Sequence, residues 1–477
     1  MRSPRIYTLI ATAMVAAIPG LAWAQGVPAV VAEVKTVPAV ETPAPVIPAD
    51  TDTARLTEKG KKVSKFMSTA PRIEIQNFRP SDMRGLNVYE SPKEDVSTYS
   101  GFKLAWGAGF TQQFQGLDHY NKADPRIVAN VDANKLVQIG HGFNNAMANL
   151  NLNAQVARGI RVSLTSYLST RHHTETWVKD GYFLIDASPI ANETLDNIMK
   201  YVTLRVGHFE INYGDAHFRR TDGGNAIYNP LVGNYIMDAF TTEIGAEAYL
   251  RKSGWMAMGG MTAGEVRGQI TKPSERAPTY LAKLGFDKQL TPAFRARMMG
   301  SLYTTKKSVN NTLYSGDRAG SRYFDVLENT TSTEAAQAWS GAIQPGFKSK
   351  IRAVQFNPFL KYRGLEFFGI AEQVKGRTAT ELKDRTWNQY AGELTYRFLP
   401  DERVYVTGRY NTADGELIGI ANKVGVNRFN VGGGWFVTPN VLAKVEYVKQ
   451  NYNKFPTTDI RSGGVFKGFL IEGVVAF

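Results

Sequence analysis

The stretch GVFKGFLIEGVVAF, residues 464–477, ends the chain and decides how the rest of the sequence is interpreted. Counted in steps of two back from Phe477, five of seven positions are apolar, whereas the other register includes Glu472. Alternation with a period of two is typical of a strand with one face against apolar surroundings. A terminal strand is most stable when both edges are paired, which a closed barrel provides. An ordinary strand at the end of a sheet is the alternative for this stretch taken alone.

The N-terminus predicts export. Arg2 and Arg5 precede an apolar run that ends in Ala-Trp-Ala at residues 22–24. A basic start, an apolar stretch and a small-x-small ending form the pattern of a secretory signal peptide. We therefore expect residues 1–24 to be cleaved and exclude them from the fold.

Two segments of different composition follow the leader. Residues 25–50 are rich in Ala, Val and Pro without any period, and Pro at short intervals favours extended chain over helix. Together with a basic stretch that has the composition of a short helix, they predict a periplasmic tether over residues 25–70. Residues 71–99 form a lead-in segment, and residues 100–477 carry a strand pattern.

Composition and charge exclude several classes of function. The chain has no cysteine, which excludes thiol catalysis, iron–sulfur clusters and thiolate zinc sites. Its formal net charge is +13, or +11 without Arg2 and Arg5, which suits anionic lipid, an anionic solute or nucleic acid. Export and the lack of a nucleic-acid-binding motif argue against nucleic acid. No later window holds about 18 consecutive apolar residues, so the sequence predicts no transmembrane helix.

From about residue 100 the chain alternates in short segments. Ala148, Leu150 and Leu152 fall on one face, and Asn149 and Asn151 fall on the other. A helix would scatter these asparagines around its circumference, whereas a strand aligns them. Because membrane-spanning strands are apolar only at alternate residues, a mean hydropathy of -0.27 is compatible with a barrel. The predicted strands are residues 101–115, 144–157, 160–170, 175–187, 200–211, 240–251, 254–265, 279–290, 293–304, 350–362, 365–375, 387–399, 402–412, 425–437, 441–452 and 464–477.

The connections between these strands alternate between short and long. The long ones are residues 116–143, 212–239, 266–278, 305–349, 376–386, 413–424 and 453–463. The connection at 188–199 is longer than this rule requires, and the one near 171–174 is shorter. Short turns at one rim and long loops at the other are typical of membrane barrels, and lipid excludes an open sheet edge. The sequence predicts an all-β fold, a 16-stranded antiparallel transmembrane β-barrel over residues 100–477 with short periplasmic turns and long extracellular loops.

The inward faces of the predicted strands are polar. Sixteen strands usually enclose a water-filled interior, where charged side chains are hydrated and tune the passage of ions. In a dry core the same groups would be buried without partners at a large cost. The predicted pore-wall residues are Arg161, Glu243, Glu247, Arg295, Arg297, Glu393, Arg397 and Arg409.

The connection at residues 212–239 is the candidate constriction of the pore. Its charged residues are followed by Gly-Gly and by the hydrophobic pair Ile236-Met237, which would anchor the segment. Opposed charges across a narrow aqueous gap would select solutes by charge. The predicted constriction residues are Asp215, His217, Arg219, Arg220 and Asp222. The alternative is a solvated external loop with ordinary surface charges.

The C-terminal strand resembles the closing strand of bacterial outer-membrane β-barrels, which typically end in an aromatic residue. The resemblance implies that Phe469, Ile471, Val475 and Phe477 act as a barrel-closing signal for the barrel-assembly machinery of a Gram-negative cell. It also implies that the barrel is embedded in the lipid of the outer membrane.

Residues 204–220, LRVGHFEINYGDAHFRR, resemble the strand-then-loop segment of outer-membrane porins, including phosphate-selective (O/P-type) porins. The shared motif is Val-Gly-His-Phe at residues 206–209. The resemblance implies passive, often anion-preferring diffusion through 16-stranded barrels that assemble as homotrimers. No ladder of inward lysines is evident, so phosphate preference is not carried over. The positive charge favours anions, whereas Glu243, Glu247 and Glu393 oppose that preference.

The sequence thus predicts a porin, a passive channel for small hydrophilic solutes or ions, with no cofactor and no catalytic activity. The chain has neither a GxSxG nor an HExxH motif, and its six histidines form no pairing with a nucleophile. His172 and His173 are adjacent, so on a strand they would point to opposite faces, which disfavours a metal site. The alternative function is a non-channel barrel for adhesion or surface display through residues 305–349.

Overall fold

The computed structural model describes residues 75–76, 78–90, 93, 99–170, 176–220, 225–268, 270–315, 322–333 and 340–477. The predicted signal peptide (1–24) and tether (25–70) lie outside these residues, as does part of the lead-in segment (71–99). Within the described residues, no helix has the length and apolar composition needed to cross a membrane.

In the described residues, sixteen long strands form one antiparallel sheet, and each coincides with a predicted strand. The strands are β1 (Lys103–Tyr120), β2 (Met147–Ala157), β3 (Ile160–Ser169), β4 (Trp177–Ile185), β5 (Val202–Glu210), β6 (Thr242–Lys252), β7 (Trp255–Thr262), β8 (Thr279–Thr291), β9 (Phe294–Thr305), β10 (Lys350–Tyr362), β11 (Leu365–Arg377), β12 (Arg385–Phe398), β13 (Val404–Gly415), β14 (Val424–Thr438), β15 (Val441–Asn453) and β16 (Val465–Ala476). The largest difference from prediction is in β1, which continues to Tyr120.

The sheet closes on itself through its first and last strands. β1 pairs with β2 along one edge, beginning at Lys103 opposite Gln155, and with β16 along the other, from Gly109 onward. β16 also pairs with β15, so the C-terminal strand has both edges paired, as predicted. Its Lys467 stands on the outward apolar face directly opposite Asp118 of β1. On its other edge Lys467 stands opposite Lys449 of β15, so it has one unlike and one like charge as cross-strand neighbours.

The connections within the described residues follow the predicted alternation, including the longer connection predicted at residues 188–199. The shorter connection predicted near residues 171–174 lies outside the described residues. The connection between β4 and β5 contains helix α1 (Glu193–Met199), which makes it longer than the other turns on that rim. The Asn192 side chain accepts a hydrogen bond from the Leu195 backbone N–H and caps that helix. The β6–β7 hairpin turns at Ser253 and Gly254, one residue later than predicted, because both have the positive φ that a two-residue turn requires.

The two faces of the ring differ in polarity. The outward face carries exposed apolar and aromatic side chains, as membrane-spanning strands require. Examples are Trp106, Leu284, Leu394, Tyr410 and Ile471, each more than half exposed. On the other face, alternate residues are buried and many are polar. Asn149, Ser163 and Thr165 lie there, as their strand register predicts.

The interior differs from the uniformly polar one that the sequence predicted. Leu117, Val374 and Leu470 lie on the buried face and join a hydrophobic cluster. Ile236 and Leu313, from two long connections, belong to the same cluster. Long connections therefore pack against the inner wall and remove apolar surface from water, which stabilises them there.

Candidate functional site

The segment between β5 and β6 is bonded to the buried faces of several strands. The backbone N–H of Ile236 donates to Oδ1 of Asn411, and that of Met237 donates to Oε1 of Gln389, both at 2.7 Å. Glu446 accepts the backbone N–H of Val232 at 2.6 Å. Polar side chains of the wall therefore satisfy backbone donors that an irregular buried segment would otherwise leave unpaired. Ile236 and Met237, the predicted anchor, are both buried.

Asp215 forms the centre of the first charge cluster. Its carboxylate accepts two parallel hydrogen bonds from Arg297, with Nε–Oδ2 and Nη2–Oδ1 distances of 2.8 Å. Lys283 Nζ lies 2.7 Å from Oδ1, and Glu90 reaches the same two cations at 2.8 Å from Arg297 and 3.1 Å from Lys283. Burial alone would raise the pKa of Asp215, but Arg297 and Lys283 outweigh it and hold the pKa below its usual range. Two cations thus neutralise two buried carboxylates.

Arg219 belongs to a second cluster, on the wall formed by β12 and β13. Its Nη2 lies 2.6 Å from Oε1 of Glu393, while Arg409 donates to the other carboxylate oxygen from Nε at 2.8 Å. Arg219 Nη1 also donates to Oδ1 of Asn87 at 2.6 Å. The side chains of Arg219, Glu393 and Arg409 are all at most 3% exposed. Two guanidinium groups therefore share one buried carboxylate, and these three side chains together carry one net positive charge.

The other predicted constriction residues have different partners. The imidazole of His217 lies 3.1 Å from Glu210 through Nδ1 and 3.1 Å from Asn212 through Nε2. Burial lowers the pKa of His217 below its ordinary value, although Glu210 opposes that shift. Arg220 pairs with Asp238 within its own connection. Asp222 lies outside the described residues.

The structure brings only some of the predicted wall residues to this segment. Arg297, Glu393 and Arg409 contact it through the pairs given above, and Glu247 accepts the backbone N–H of Asn212 at 3.0 Å while pairing with Arg205.

Four further wall residues find partners elsewhere. Arg161 pairs with Asp186, and Arg295 with Asp287. Arg397 pairs with Glu366, and Glu243 accepts the hydroxyl of Tyr303 at 2.7 Å. Arg161, Arg397 and Glu243 are buried, whereas the Arg295 side chain is 26% exposed. Within the described residues, the pairs that these four side chains form lie outside the segment between β5 and β6.

Sequence reasoning missed several members of these clusters. Lys283 is buried on the inward face of β8, as Leu281 two residues earlier is, whereas Leu284 points outward and is exposed. Strand alternation was therefore the signal that could have identified Lys283. Glu90 and Asn87 precede the first strand, and no period marks them. Only the folded chain brings them to cations that lie far away in sequence.

A cavity of about 180 Å³ borders the first cluster. Four arginines and three carboxylates line it, together with His217 and several tyrosines. A second cavity of about 240 Å³ lies nearer the short turns and is lined in part by Asn87, Glu366 and Arg397. Both are small and charged, which suits water and small ions rather than a large apolar ligand. In the described residues, no group of three or more histidine, aspartate or glutamate side chains is placed to hold a metal ion.

The predicted closing signal lies on the outward face of β16. Phe469, Ile471, Val475 and Phe477 are between 38% and 63% exposed, in register with the apolar surface of the ring. Their neighbour Glu472 points the other way and is buried between Lys444, at 2.6 Å, and Arg322. The last strand therefore presents one apolar face outward and one charged contact inward.

Solved structures that are similar to this chain are outer-membrane porins and channels, the class that residues 204–220 resemble. An anion-selective porin from Comamonas acidovorans has a TM-score of 0.49 at 10% identity, over 79% of this chain and 100% of that one. OprB of Pseudomonas putida has a TM-score of 0.45 at 9% identity, over 79% and 94%. The outer-membrane channel DcaP of Acinetobacter baumannii has a TM-score of 0.43 at 12% identity, over 80% and 99%. Neither a protein-family model nor a curated protein sequence matches the chain.

Proposed function

We propose that the protein is an outer-membrane porin, a passive channel for small hydrophilic solutes or ions. One observation carries the proposal: a closed ring of sixteen strands has an apolar outer face and an inner face lined with buried charges. The apolar outer face is compatible with lipid, whereas the charges on the inner face require a hydrated or ion-paired interior. The signal peptide predicted at residues 1–24 supports export to that membrane.

We further propose that residues 212–239 form the constriction. Asp215 and Arg219 are held against different parts of the wall, which supports placing this segment across the passage. The two clusters differ in net charge, because the first is balanced and the second is positive. The positive cluster at Arg219 and Arg409, with the net charge of the mature chain, supports a preference for anions.

The oligomeric state belongs to the same proposal. A homotrimer is what the porin resemblance implies, and the apolar outer face suits either lipid or a second barrel. Assembly through the C-terminal strand, with Phe477 at its end, would use the barrel-assembly machinery.

Adhesion or surface display through residues 305–349 has less support. Tyr314 donates to Glu372 at 2.7 Å and Tyr323 donates to Glu446 at 2.6 Å, and both tyrosines are buried against the inner wall. Because these tyrosines contact the inner wall, they are not exposed to an external partner.

Planar bilayers test the channel and its selectivity. Purified protein should give steady conducting steps, and their absence would refute the proposed channel function. Asp215→Asn deletes one negative charge, and a unit charge about 6 Å from an ion in water is worth about 0.7 kcal/mol, or about a threefold change in local ion concentration. We expect the reversal potential in a salt gradient to move toward anions.

Asp384→Asn is the matched control. Asp384 pairs with Lys350 at a half-exposed position away from the two clusters, and its replacement makes the same change in net charge. An equal shift in both variants would mean that Asp215 does not line the passage.

A further inference from the structure

Residues 78–90, here called the inner strap, cross the interior of the ring. Near one end, the guanidinium of Arg161 lies 4.8 Å from the centre of the Phe78 ring. Near the other end, Asn87 Nδ2 donates to Oε1 of Glu366 at 2.7 Å. Arg161 belongs to β3 and Glu366 to β11, which are eight strands apart in a ring of sixteen. The strap therefore touches opposite walls.

The inner strap lies at the rim formed by the short turns. Arg161 and Glu366 are each the second residue of a strand that begins after a two-residue turn. The backbone N–H of Met83 donates to the carbonyl of Pro439, in the turn between β14 and β15, at 2.9 Å. A solute that entered at this rim would reach the strap before the proposed constriction, and one that left there would pass the strap last.

Polar contacts hold the strap to the wall and to the constriction. Glu90 pairs with Arg297 and Lys283, and Asn87 bridges Glu366 and Arg219. In the described residues the strap pairs with no barrel strand as a β-ladder, so its release would leave the ring intact. The two cavities described above flank it, with Glu90 lining one and Asn87 lining the other. Space on both sides gives the strap somewhere to move.

A tight turn shapes the strap around Gly85. A Cβ at this position would lie 2.1 Å from the carbonyl oxygen of Pro80 and 2.8 Å from the Tyr228 ring. The Pro80 carbonyl oxygen belongs to the backbone and cannot move aside as the end of a flexible side chain can. Any larger residue at position 85 must therefore displace the strap from its observed position.

We propose that the inner strap is a gate that closes the turn-side mouth of the channel. The inference rests on the proposed channel function and adds a closed state to it. In the closed state Asn87 and Glu90 fasten the strap. In the open state these contacts are broken, the strap leaves the mouth, and the sixteen-stranded ring is unchanged.

A reversible cross-link tests the gate in the full-length chain. The protein has no native cysteine, so Asn87→Cys combined with Glu366→Cys introduces one unique pair. A short bis-methanethiosulfonate reagent would fasten the strap to β11. We expect conducting steps to disappear on cross-linking and to return on reduction. The control pair, Arg158→Cys with Asp196→Cys, lies on the same rim without touching the strap, and its cross-link should leave conductance unchanged.

A second variant loosens the strap without changing any charge. Gly85→Val should raise the open fraction by about tenfold, the factor that corresponds to about 1.4 kcal/mol. Gly259→Val is its control, because a Cβ at position 259 meets no atom within 4 Å. The heat-dependent mobility of folded barrels on gels would establish that each variant has folded.

The outcomes separate the gate from the channel. Conductance that survives cross-linking at positions 87 and 366, together with wild-type behaviour of Gly85→Val, would overturn the gate and leave the channel standing. A complete lack of conductance in every form, including reduced and Gly85→Val protein, would overturn the channel and the gate with it.

Discussion

Replacement of Glu393 by glutamine should destabilise the protein more than any exchange at an exposed ion pair. The Glu393 carboxylate is 1% exposed and accepts hydrogen bonds from Arg219 at 2.6 Å and from Arg409 at 2.8 Å. Without its charge, two buried guanidinium groups lose the carboxylate that both of them contact. Removal of one partner from a buried ion pair costs about 3–5 kcal/mol, and here one carboxylate serves two cations.

The measurement is urea unfolding of the protein in lipid vesicles, followed by tryptophan fluorescence. A loss of about 3–5 kcal/mol in the free energy of unfolding is a change of between about a hundredfold and a few thousandfold in the folding equilibrium. Asp384→Asn breaks a pair whose side chains are 30–39% exposed, and exposed pairs are worth at most about 1 kcal/mol.

A double variant separates an unpaired charge from simple loss of packing. Adding Arg409→Met to Glu393→Gln removes one of the two orphaned cations, so the double variant should be more stable than Glu393→Gln alone. Glu393 does not compensate two buried cations if Glu393→Gln costs no more than Asp384→Asn, or if adding Arg409→Met lowers the free energy of unfolding by a further amount of about 3–5 kcal/mol.

Two other predictions concern the outer face and one long connection. Ile471→Arg places a charge at an exposed position in the middle of β16 and should cost about 2–4 kcal/mol in the same unfolding assay, whereas Phe477→Arg at the strand end should cost about 1 kcal/mol or less. Equal costs would contradict a lipid-facing assignment. Burial raises the pKa of Glu328 to about 7, although the hydroxyl of Ser340 opposes the shift. Because the folded state favours the protonated carboxyl, the connection should open more readily as the pH rises from about 4.5 to about 7 and stay constant above that. Amide hydrogen exchange, corrected for its intrinsic pH dependence, should lose this trend in Glu328→Gln.

The inner faces were predictable only as far as the strand register reaches. Alternation placed Arg297, Glu393 and Arg409 on the buried face, and the structure puts them there. Alternation also placed Arg161 and Arg397 there, but it does not predict that Arg161 pairs with Asp186 or that Arg397 pairs with Glu366. Register fixes the direction of a side chain, whereas its partner depends on which strand or connection lies across the interior.

The sequence alone determined the strands, their number, their apolar outward faces and the pairing of the last strand with both of its neighbours. These features follow from a period of two and from a solvent, lipid, that tolerates no unpaired backbone edge. The tertiary structure decided which charges meet and what crosses the interior. Asn87 and Glu366 are 279 positions apart, and Asp215 and Arg297 are 82 apart. No local pattern encodes such contacts, because they arise only when closure of the ring brings distant inward side chains and irregular segments into one confined space.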